Sequence, residues 1–392
     1  TAVGKSALAE RLAQDVEGGG EIISADSVQV YKGMDIGSNK PTAEEQAAVP
    51  YHLLDICSPT EEYNAANFAL QAREAILDIN SRGKLPIVVG GTGFYVQWLV
   101  YGRPGAPAPS KEATEKAVKE IESFKGDWGA ALARAEEVDE AYCQSMATND
   151  WFRLRRLLEV YHTDGKALSS YERPQGKEMG YQDVPTALRG AEFDFRCFFL
   201  HRKRTELFRD IDYRCELMLQ AGLLREVVGL VEKGMLREDY ATCSKDEAER
   251  PSERAIGYRQ TLDLLHDART ARGKGPLTPK EEDEKVLAYI TAFQAASRQF
   301  VKRQLTWFRQ DPTFRWVAGG EGLEVVGREL GMGQADFHGL YENSEDQEMQ
   351  RQLESGKEEQ RALKRYITTL RVYGTAQSRA PLVEQLREVG VF

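Results

Sequence analysis

The sequence TAVGKSALAERLA, residues 1–13, ends a phosphate-binding loop and continues into an apolar-faced helix. Gly4, Lys5 and Ser6 match the last three positions of the motif GxxxxGK[ST]. Backbone N–H groups at a helix N-terminus attract anions, and a lysine adds a mobile positive charge. The stretch therefore predicts a phosphate site, although a simple Gly-Lys-Ser turn is the alternative. The loop alone does not distinguish ATP from another phosphorylated ligand.

A complete loop of this kind carries a further glycine and follows a buried strand. Neither precedes Gly4, so residue 1 is expected to be the edge of a fragment. Any targeting peptide would have been lost with that edge, and the expected compartment is the cytoplasm, a plastid or a mitochondrion.

Two buried strands separated by an amphipathic helix follow the loop. EIISADS (21–27) and LPIVVGGTG (85–93) are apolar runs that end in polar or glycine residues, and ANFALQAREAILDINSRG (66–83) has helical periodicity. This order predicts a doubly wound α/β core with a parallel sheet. Residues 111–190 form a candidate inserted helical domain. FDFRCFFL (193–200) and PTFRWV (312–317) are predicted strands on either side of long helices.

The predicted domains are an α/β core (1–110), the inserted helical domain (111–190), the rest of the core (191–317) and a peripheral acidic C-terminal tail (318–392). The five cysteines form no CxxC pair, which fits a reducing compartment. No run of eighteen apolar residues occurs, so no membrane span is expected.

Charge is distributed unevenly along the chain. The formal net charge is −10, which as an average disfavours nucleic acid as a partner. Residues 342–359 nevertheless hold seven acidic and two basic residues, whereas RQFVKRQLTWFR (298–309) holds four basic residues and no acidic one. Clustered basic residues can form a phosphate-binding face on an acidic protein. A solvated helix surface is the alternative.

Two polar residues stand at the ends of the predicted strands. Asp26 follows the first strand, at the sheet edge where ligands of such folds bind, and it could act as a base or hold Mg²⁺. Helix capping by Asp26 or Ser27 is the alternative. Thr92 lies in the tight turn GGTGFY after the next strand, where it could equally be a cap.

Several stretches taken together resemble the tRNA dimethylallyltransferases, also called tRNA isopentenyltransferases. They are GKS, SADSVQVYKGMDIGSNKPT, YHLLDI, PIVVGGTGFYVQWL, NDWFRLRRLLEV, AIGYRQ and RQFVKRQLTWFR, in this order over residues 1 to about 317. The resemblance implies a P-loop NTPase-like parallel sheet core with an inserted helical domain. It also implies transfer of a dimethylallyl group from dimethylallyl diphosphate to N6 of an adenosine. That adenosine lies 3′ of the anticodon in tRNAs that read codons beginning with U.

The resemblance also implies roles for individual residues. Asp26 matches the general base, Thr92 matches a residue that hydrogen-bonds near the target amine, and Arg214 matches an arginine that contacts the diphosphate. Ser6 is expected to bind Mg²⁺. The predicted diphosphate-binding residues are Thr1, Ala2, Val3, Gly4, Lys5, Ser6 and Arg214.

The same resemblance implies contacts with the anticodon stem-loop of tRNA. Bacterial members usually carry Gln where Phe152 stands, so this chain departs from the family pattern there. We expect a monomer. The predicted tRNA-binding residues are Asp26, Ser27, Val28, Gln29, Thr92, Lys116, Phe152, Arg153, Leu154, Arg155 and Arg156.

Three other functions remain open at this point. An adenylate isopentenyltransferase would use free AMP, ADP or ATP as acceptor, but such enzymes lack a full helical insertion. A phosphate-loop small-molecule kinase would leave the DSVQVY and GGTGFY stretches unexplained. A non-catalytic RNA-binding protein would not require Lys5, Ser6 and Asp26 together.

Overall fold

The computed structural model describes residues 2–102, 105–144, 146–171, 192–239, 250–270, 276–341 and 363–392. The chain divides into two compact units. The larger unit contains Thr1–Tyr101 and Gly176–Phe392, and the smaller one is Gly102–Gln175. In the described part of the chain, no helix is long and apolar enough to cross a membrane.

The larger unit contains five described strands. They are β1 (Gly20–Ala25), β2 (Tyr51–His52), β3 (Leu85–Gly90), β4 (Phe198–His201) and β5 (Arg315–Ala318). The helices, numbered in chain order, are α1 (Lys5–Asp15), α2 (Ala43–Ala48), α3 (Ala65–Ser81), α4 (Gly93–Tyr101), and in the smaller unit α5 (Lys111–Ser123), α6 (Trp128–Cys143) and α7 (Trp151–Asp164). The larger unit continues with α8 (Arg204–Ala221), α9 (Leu223–Glu232), α10 (Tyr258–Thr270), α11 (Pro279–Arg309), α12 (Gly322–Leu330), α13 (Gln334–Gly339) and α14 (Ala376–Glu388).

Strands β2, β1 and β3 form a parallel sheet in that order, which confirms the predicted parallel α/β sheet. The sheet determines where the loops after its strands begin. Every residue of β1 is buried, as expected for a strand with helices on its faces. The pairing of β1 with β3 continues to Ala25 and Gly90, the last residues of both strands. The segments that follow β1 and β3 therefore leave the sheet side by side.

The pairing of β4 with β5 forms a separate two-stranded parallel sheet. Both strands fall where the sequence predicted them, but each is shorter than the apolar run that marks it. Phe199 packs against Trp316 at 4.5 Å between ring centroids, and it also contacts Phe308 of α11. This aromatic cluster anchors the C-terminal end of α11 to the sheet.

The described residues of the smaller unit, Gly102–Gln175, form helices joined by turns and loops, and they contain no strand. The sequence predicted an inserted helical domain at 111–190, of which residues 145 and 172–190 lie outside the described part. Each of its three α-helices begins with a side-chain cap, from Ser110, Asp127 and Asp150. Apolar side chains of α7, Leu154 and Leu157 among them, are buried in its core.

The segment after residue 318 differs from the expectation of a peripheral tail. Its acidic run, residues 342–359, lies outside the described residues. The described parts instead contribute to the core of the larger unit: Tyr373, Leu382 and Leu386 are buried in the main apolar cluster. The negative charge of residues 318–392 comes from the run 342–359, whereas Leu382, Val383 and Leu386 have the helical spacing that gives α14 an apolar face.

We predict that Leu386→Ala lowers the free energy of unfolding by about 2–5 kcal/mol, because truncating a buried leucine leaves a cavity. Leu386 is 0% exposed. The matched control is Ile367→Ala in the same segment, where the side chain is 83% exposed. The control is expected to change stability by about 0.5 kcal/mol or less. Urea unfolding of both variants provides the measurement, and equal effects would contradict the packing of the C-terminal segment.

Candidate active site

A pocket of about 300 Å³ opens at the carboxyl ends of β1 and β3, beside the start of α1. Helices α8 and α11 each add a polar side chain to its wall. Residues that are far apart in the sequence thus share one cavity. Its polar lining includes Lys5, Ser6, Asp26, Gln29, Arg214 and Gln304.

The segment from Ala2 to Ser6, which the sequence predicts to bind phosphate, forms one wall of this pocket. Gly4 precedes α1 with φ 87°, a left-handed conformation that glycine adopts without steric cost. No added Cβ would meet a neighbour within 4 Å at Gly4, so the backbone angle and not crowding favours glycine here. Gly4 has no side chain to cap α1, which leaves the first backbone N–H groups of the helix for an anion.

Two cations face the pocket in a poorly hydrated position. Burial lowers the pKa of Lys5, and the nearby positive charge of Arg214 lowers it further while Asp26 opposes the shift. Burial likewise lowers the pKa of Arg214. The Nε of Arg214 is buried and has no hydrogen-bond partner among the described residues. A polyanion in the pocket would supply the charge and the acceptors that these groups lack.

Asp26 caps the turn after β1 and also lines the pocket. Its Oδ1 accepts hydrogen bonds from the backbone N–H groups of Val28, at 2.8 Å, and Gln29, at 3.3 Å. These bonds make it the cap of the turn after β1. No described residue donates a hydrogen bond to Oδ2, and Asp26 lines the pocket. One carboxylate oxygen therefore fixes the loop, and the other remains available for a ligand.

Thr92 joins the loop after β3 to the loop after β1. Its Oγ1 accepts a hydrogen bond of 3.1 Å from the backbone N–H of Ser27, and the hydroxyl can still donate its own proton. The lining residues Gly90 and Gly91 directly precede it. The structure thus brings Thr92 beside the predicted base, although it lies one position beyond the residues that line the cavity.

Gln29 has an internal role that the sequence did not indicate. Its Oε1 accepts a hydrogen bond from the hydroxyl of Ser24, and its Nε2 donates to the carbonyl groups of Ser38 and Asn39. Both amide protons are thereby used within the protein. The side chain connects β1 to the SNKP segment (38–41) and shapes the pocket wall.

Two further residues near the pocket were missed by sequence reasoning. Gln304 of α11 lines the cavity, and its Nε2 donates a 2.9 Å hydrogen bond to the carbonyl of Gly91. Glu226 of α9 accepts hydrogen bonds from three consecutive N–H groups, those of residues 35–37. No signal in the sequence marked Gln304, because eight of the twelve residues in 298–309 are uncharged. The sequence offered no signal for Glu226 either, because its partners are backbone groups.

The predicted RNA-contacting residues at the start of α7 lie in differing environments. Phe152 is 69% exposed, although it is a large apolar side chain. Leu154 is buried in the helical core, so only its backbone could contact a ligand. Arg153 donates to the hydroxyl of Tyr142 at 3.3 Å.

The remaining predicted cations of the helical unit have partners. Arg155 pairs with Glu159 at 3.1 Å, and its side chain remains 41% exposed. Arg156 donates to the carbonyl of Pro107 at 2.7 Å. Lys116 forms an exposed ion pair with Glu112. The pair of Lys116 with Glu112 is exposed on both sides and contributes little stability, so Lys116 could exchange its partner for a phosphate at small cost. Glu159 is buried, so Arg155 would have to bind a phosphate while it still compensates this carboxylate.

Comparison with known proteins identifies close relatives of this chain. A family model described as IPP transferase matches residues 29–311. The tRNA dimethylallyltransferase 9 of Arabidopsis thaliana is 38% identical over 350 residues, which cover 83% of this chain and 71% of the plant protein. The tRNA dimethylallyltransferase of Protochlamydia amoebophila is 37% identical, with 81% of each chain covered.

Solved structures agree with the sequence comparison. A eukaryotic dimethylallyltransferase solved in the course of acting on tRNA is similar with a TM-score of 0.60 and 27% identity, covering 81% of this chain and 72% of that chain. The tRNA isopentenylpyrophosphate transferase of Staphylococcus epidermidis gives a TM-score of 0.53 and 29% identity, covering 84% of this chain and 95% of that chain.

We predict that Lys5→Met raises the thermal midpoint of the ligand-free protein, because a neutral side chain in this position carries no desolvation cost. Inorganic diphosphate with Mg²⁺ should raise the midpoint of the unmodified protein, since it binds only the folded state. It should not raise that of Lys5→Met. Lys32→Met, which replaces an exposed lysine of the same unit, is the control and should keep the diphosphate response. A full response in Lys5→Met would contradict the assignment of the anion site.

Proposed function

The chain belongs to the IPP transferase family, and on that premise we propose how its pocket transfers a dimethylallyl group to an adenosine of tRNA. The observation that carries the proposal is one cavity with an open helix N-terminus, two desolvated cations and a carboxylate with one uncommitted oxygen. We propose dimethylallyl diphosphate as the donor and N6 of the adenosine 3′ to the anticodon, in tRNAs reading U-starting codons, as the acceptor. The parallel sheet and the loop before α1 support a P-loop NTPase-like core.

The diphosphate of the donor would lie against the N-terminus of α1, between Lys5 and Arg214. The bond between C1 of the dimethylallyl group and the diphosphate oxygen breaks during transfer, and negative charge grows on that oxygen. Preorganised cations and N–H groups stabilise such a leaving group more than they stabilise the bound substrate. The planar guanidinium of Arg214 suits two phosphate oxygens at once.

Asp26 would accept the proton that N6 loses as it attacks C1. The adenine amine is a weak nucleophile because its lone pair is delocalised into the ring, so a carboxylate within hydrogen-bond reach assists the attack. Oδ2 is the oxygen available for this proton, since Oδ1 holds the turn. The Thr92 hydroxyl, fixed by Ser27, would orient the amine.

We propose that Mg²⁺ accompanies the diphosphate. Among the described residues, no three His, Cys, Asp or Glu side chains come together to hold a metal ion. Mg²⁺ typically takes one or two protein oxygens and the phosphates of a substrate, and the hydroxyl of Ser6 in the pocket lining could supply such an oxygen. When bound, the ion would neutralise charge on the leaving diphosphate.

We propose that the helical unit, Gly102–Gln175, binds the anticodon stem-loop and that a single copy of the chain is sufficient. RNA-binding surfaces combine exposed aromatic rings with cations, and α7 exposes both Phe152 and Arg155. A phenylalanine at 152 would stack on a base and could not form the hydrogen bonds of the usual glutamine. The target base would be flipped out of the loop to reach the pocket.

Asp26→Asn is expected to lower the single-turnover rate of prenyl transfer roughly 10²–10⁴-fold. The asparagine oxygen can still accept from Val28 and Gln29, so the turn is retained while the base is lost. Binding of dimethylallyl diphosphate should change little. The rate is measured with radiolabelled donor, and with tRNA or AMP as acceptor.

Asp127→Asn is the matched control, because Asp127 caps α6 in the smaller unit through a bond to the N–H of Ala130. It should transfer the group at the normal rate. Near-normal turnover by Asp26→Asn would show that Asp26 only caps the turn after β1 and does not act as the base. Transfer of the group to AMP instead of tRNA would identify an adenylate isopentenyltransferase. Phosphoryl transfer from ATP would identify a kinase.

Arg155→Ala should weaken binding of an anticodon stem-loop and reduce the slope of log K against log salt by about one. Lys125→Ala is the control, since Lys125 is an exposed lysine of the same unit in the turn between α5 and α6. Binding is measured by fluorescence anisotropy between roughly 50 and 200 mM salt, because affinity that depends on phosphate contacts falls steeply over this range. An unchanged slope in Arg155→Ala would place the RNA elsewhere.

A further inference from the structure

Helix α8 carries two buried carboxylates next to the pocket arginine. Asp212 is 1% exposed and Glu216 is 0% exposed, and Arg214 lies between them in the sequence. A buried carboxylate is costly unless charges or hydrogen bonds satisfy it. The partners of these two side chains therefore determine whether α8 can occupy its present position.

Glu216 is bound by the backbone of the C-terminal segment, defined here as residues 363–392. Three consecutive N–H groups donate to its carboxylate: Arg371 at 3.0 Å, Val372 at 2.7 Å and Tyr373 at 2.9 Å. Consecutive N–H groups that converge on one anion form a strong, directional site. Hydrogen bonds to an ionised acceptor are roughly twice as strong as neutral ones.

Asp212 gives the same segment a second connection to α8. The hydroxyl of Tyr366 donates a 2.7 Å hydrogen bond to Oδ2, and Arg298 of α11 forms an ion pair with Oδ1. Tyr366 also packs edge-to-face on Phe208, another residue of α8. The C-terminal segment thus contacts α8 at two carboxylates one turn apart.

These contacts and the pocket lie on different faces of one helix. Residues four apart, such as 212 and 216, share a face, whereas a residue two positions along is turned by about 200°. Arg214 accordingly lines the pocket while its neighbours face the C-terminal segment. Since no described residue accepts from the Nε of Arg214, the placement of its guanidinium follows the placement of α8.

We propose that the C-terminal segment positions α8, and through it Arg214, by binding Glu216 with the N–H groups of residues 371–373. Glu216 and Tyr366 are then positioning residues for the diphosphate site. These two side chains and the N–H groups of residues 371–373 would support the diphosphate site without contacting the substrate. The inference rests on the proposed function for the identity of the donor, but inorganic diphosphate tests it independently of prenyl transfer.

The experiment is a double-mutant cycle with Glu216→Gln and Arg214→Ala in the full chain. Glutamine keeps the side-chain volume and removes the charge that holds three N–H groups. Glu216→Gln should raise the Kd of inorganic diphosphate, and the KM for dimethylallyl diphosphate, about tenfold, in line with the loss of charge-assisted bonds. The KM for tRNA should not change. In the Arg214→Ala background, the same substitution should have no further effect on the Kd of diphosphate.

Arg387→Gln is the matched control. Arg387 belongs to the same segment but pairs with Glu282 of α11 and with Glu384, away from α8. It should lower stability and leave the Kd of diphosphate unchanged. If Glu216→Gln fails to fold, Tyr366→Phe removes only a hydroxyl and should raise the Kd roughly threefold, again only while Arg214 is present.

Two outcomes would overturn the proposal. A folded Glu216→Gln protein that binds diphosphate as the unmodified protein does would show that α8 needs no such support. Equal effects with and without Arg214 would show that the segment stabilises the fold without acting on the arginine. Absence of prenyl transfer in the unmodified protein would instead contradict the proposed function and leave the diphosphate result interpretable.

Discussion

The parallel pairing of β1 with β3 is the constraint on which the site depends. The two strands end together, and a Cβ on Gly90 would stand 2.0 Å from the carbonyl oxygen of Ala25, so only glycine allows this approach. Asp26 and Thr92 consequently begin adjacent loops, which the bond from Ser27 to Thr92 holds together. The predicted base and the predicted orienting hydroxyl are neighbours because the backbones of the strands are in contact.

The pocket contains two basic side chains, Lys5 and Arg214, at positions where burial opposes their charge. Burial lowers the pKa values of both Lys5 and Arg214, which means that the surrounding protein disfavours their charged forms. A diphosphate reverses this balance by supplying negative charge at low dielectric. Such a site would lower the stability of the free protein and raise its affinity for an anion, which is a common trade-off between stability and activity.

Carboxylates that bind backbone N–H groups support the site from a distance. Glu226 accepts hydrogen bonds from the N–H groups of residues 35–37 and from the hydroxyl of Tyr258. The next two residues, Ser38 and Asn39, accept hydrogen bonds from the side chain of Gln29. Glu216 does the same for residues 371–373. In both cases one buried or half-buried glutamate orders a segment that has no regular secondary structure. The larger unit has this arrangement twice, with one glutamate on α8 and the other on α9.

The sequence by itself determined the parallel α/β core, the strands at both ends of the long helices and the family, because local periodicity and short motifs encode them. Only the tertiary structure decided that Gln29 is bonded internally, that Leu154 is buried and that residues after 318 join the core. The physical reason is that these outcomes depend on partners distant in the chain. Almost every residue has a backbone N–H group, whatever its side chain, so the sequence does not reveal that residues 371–373 bind Glu216.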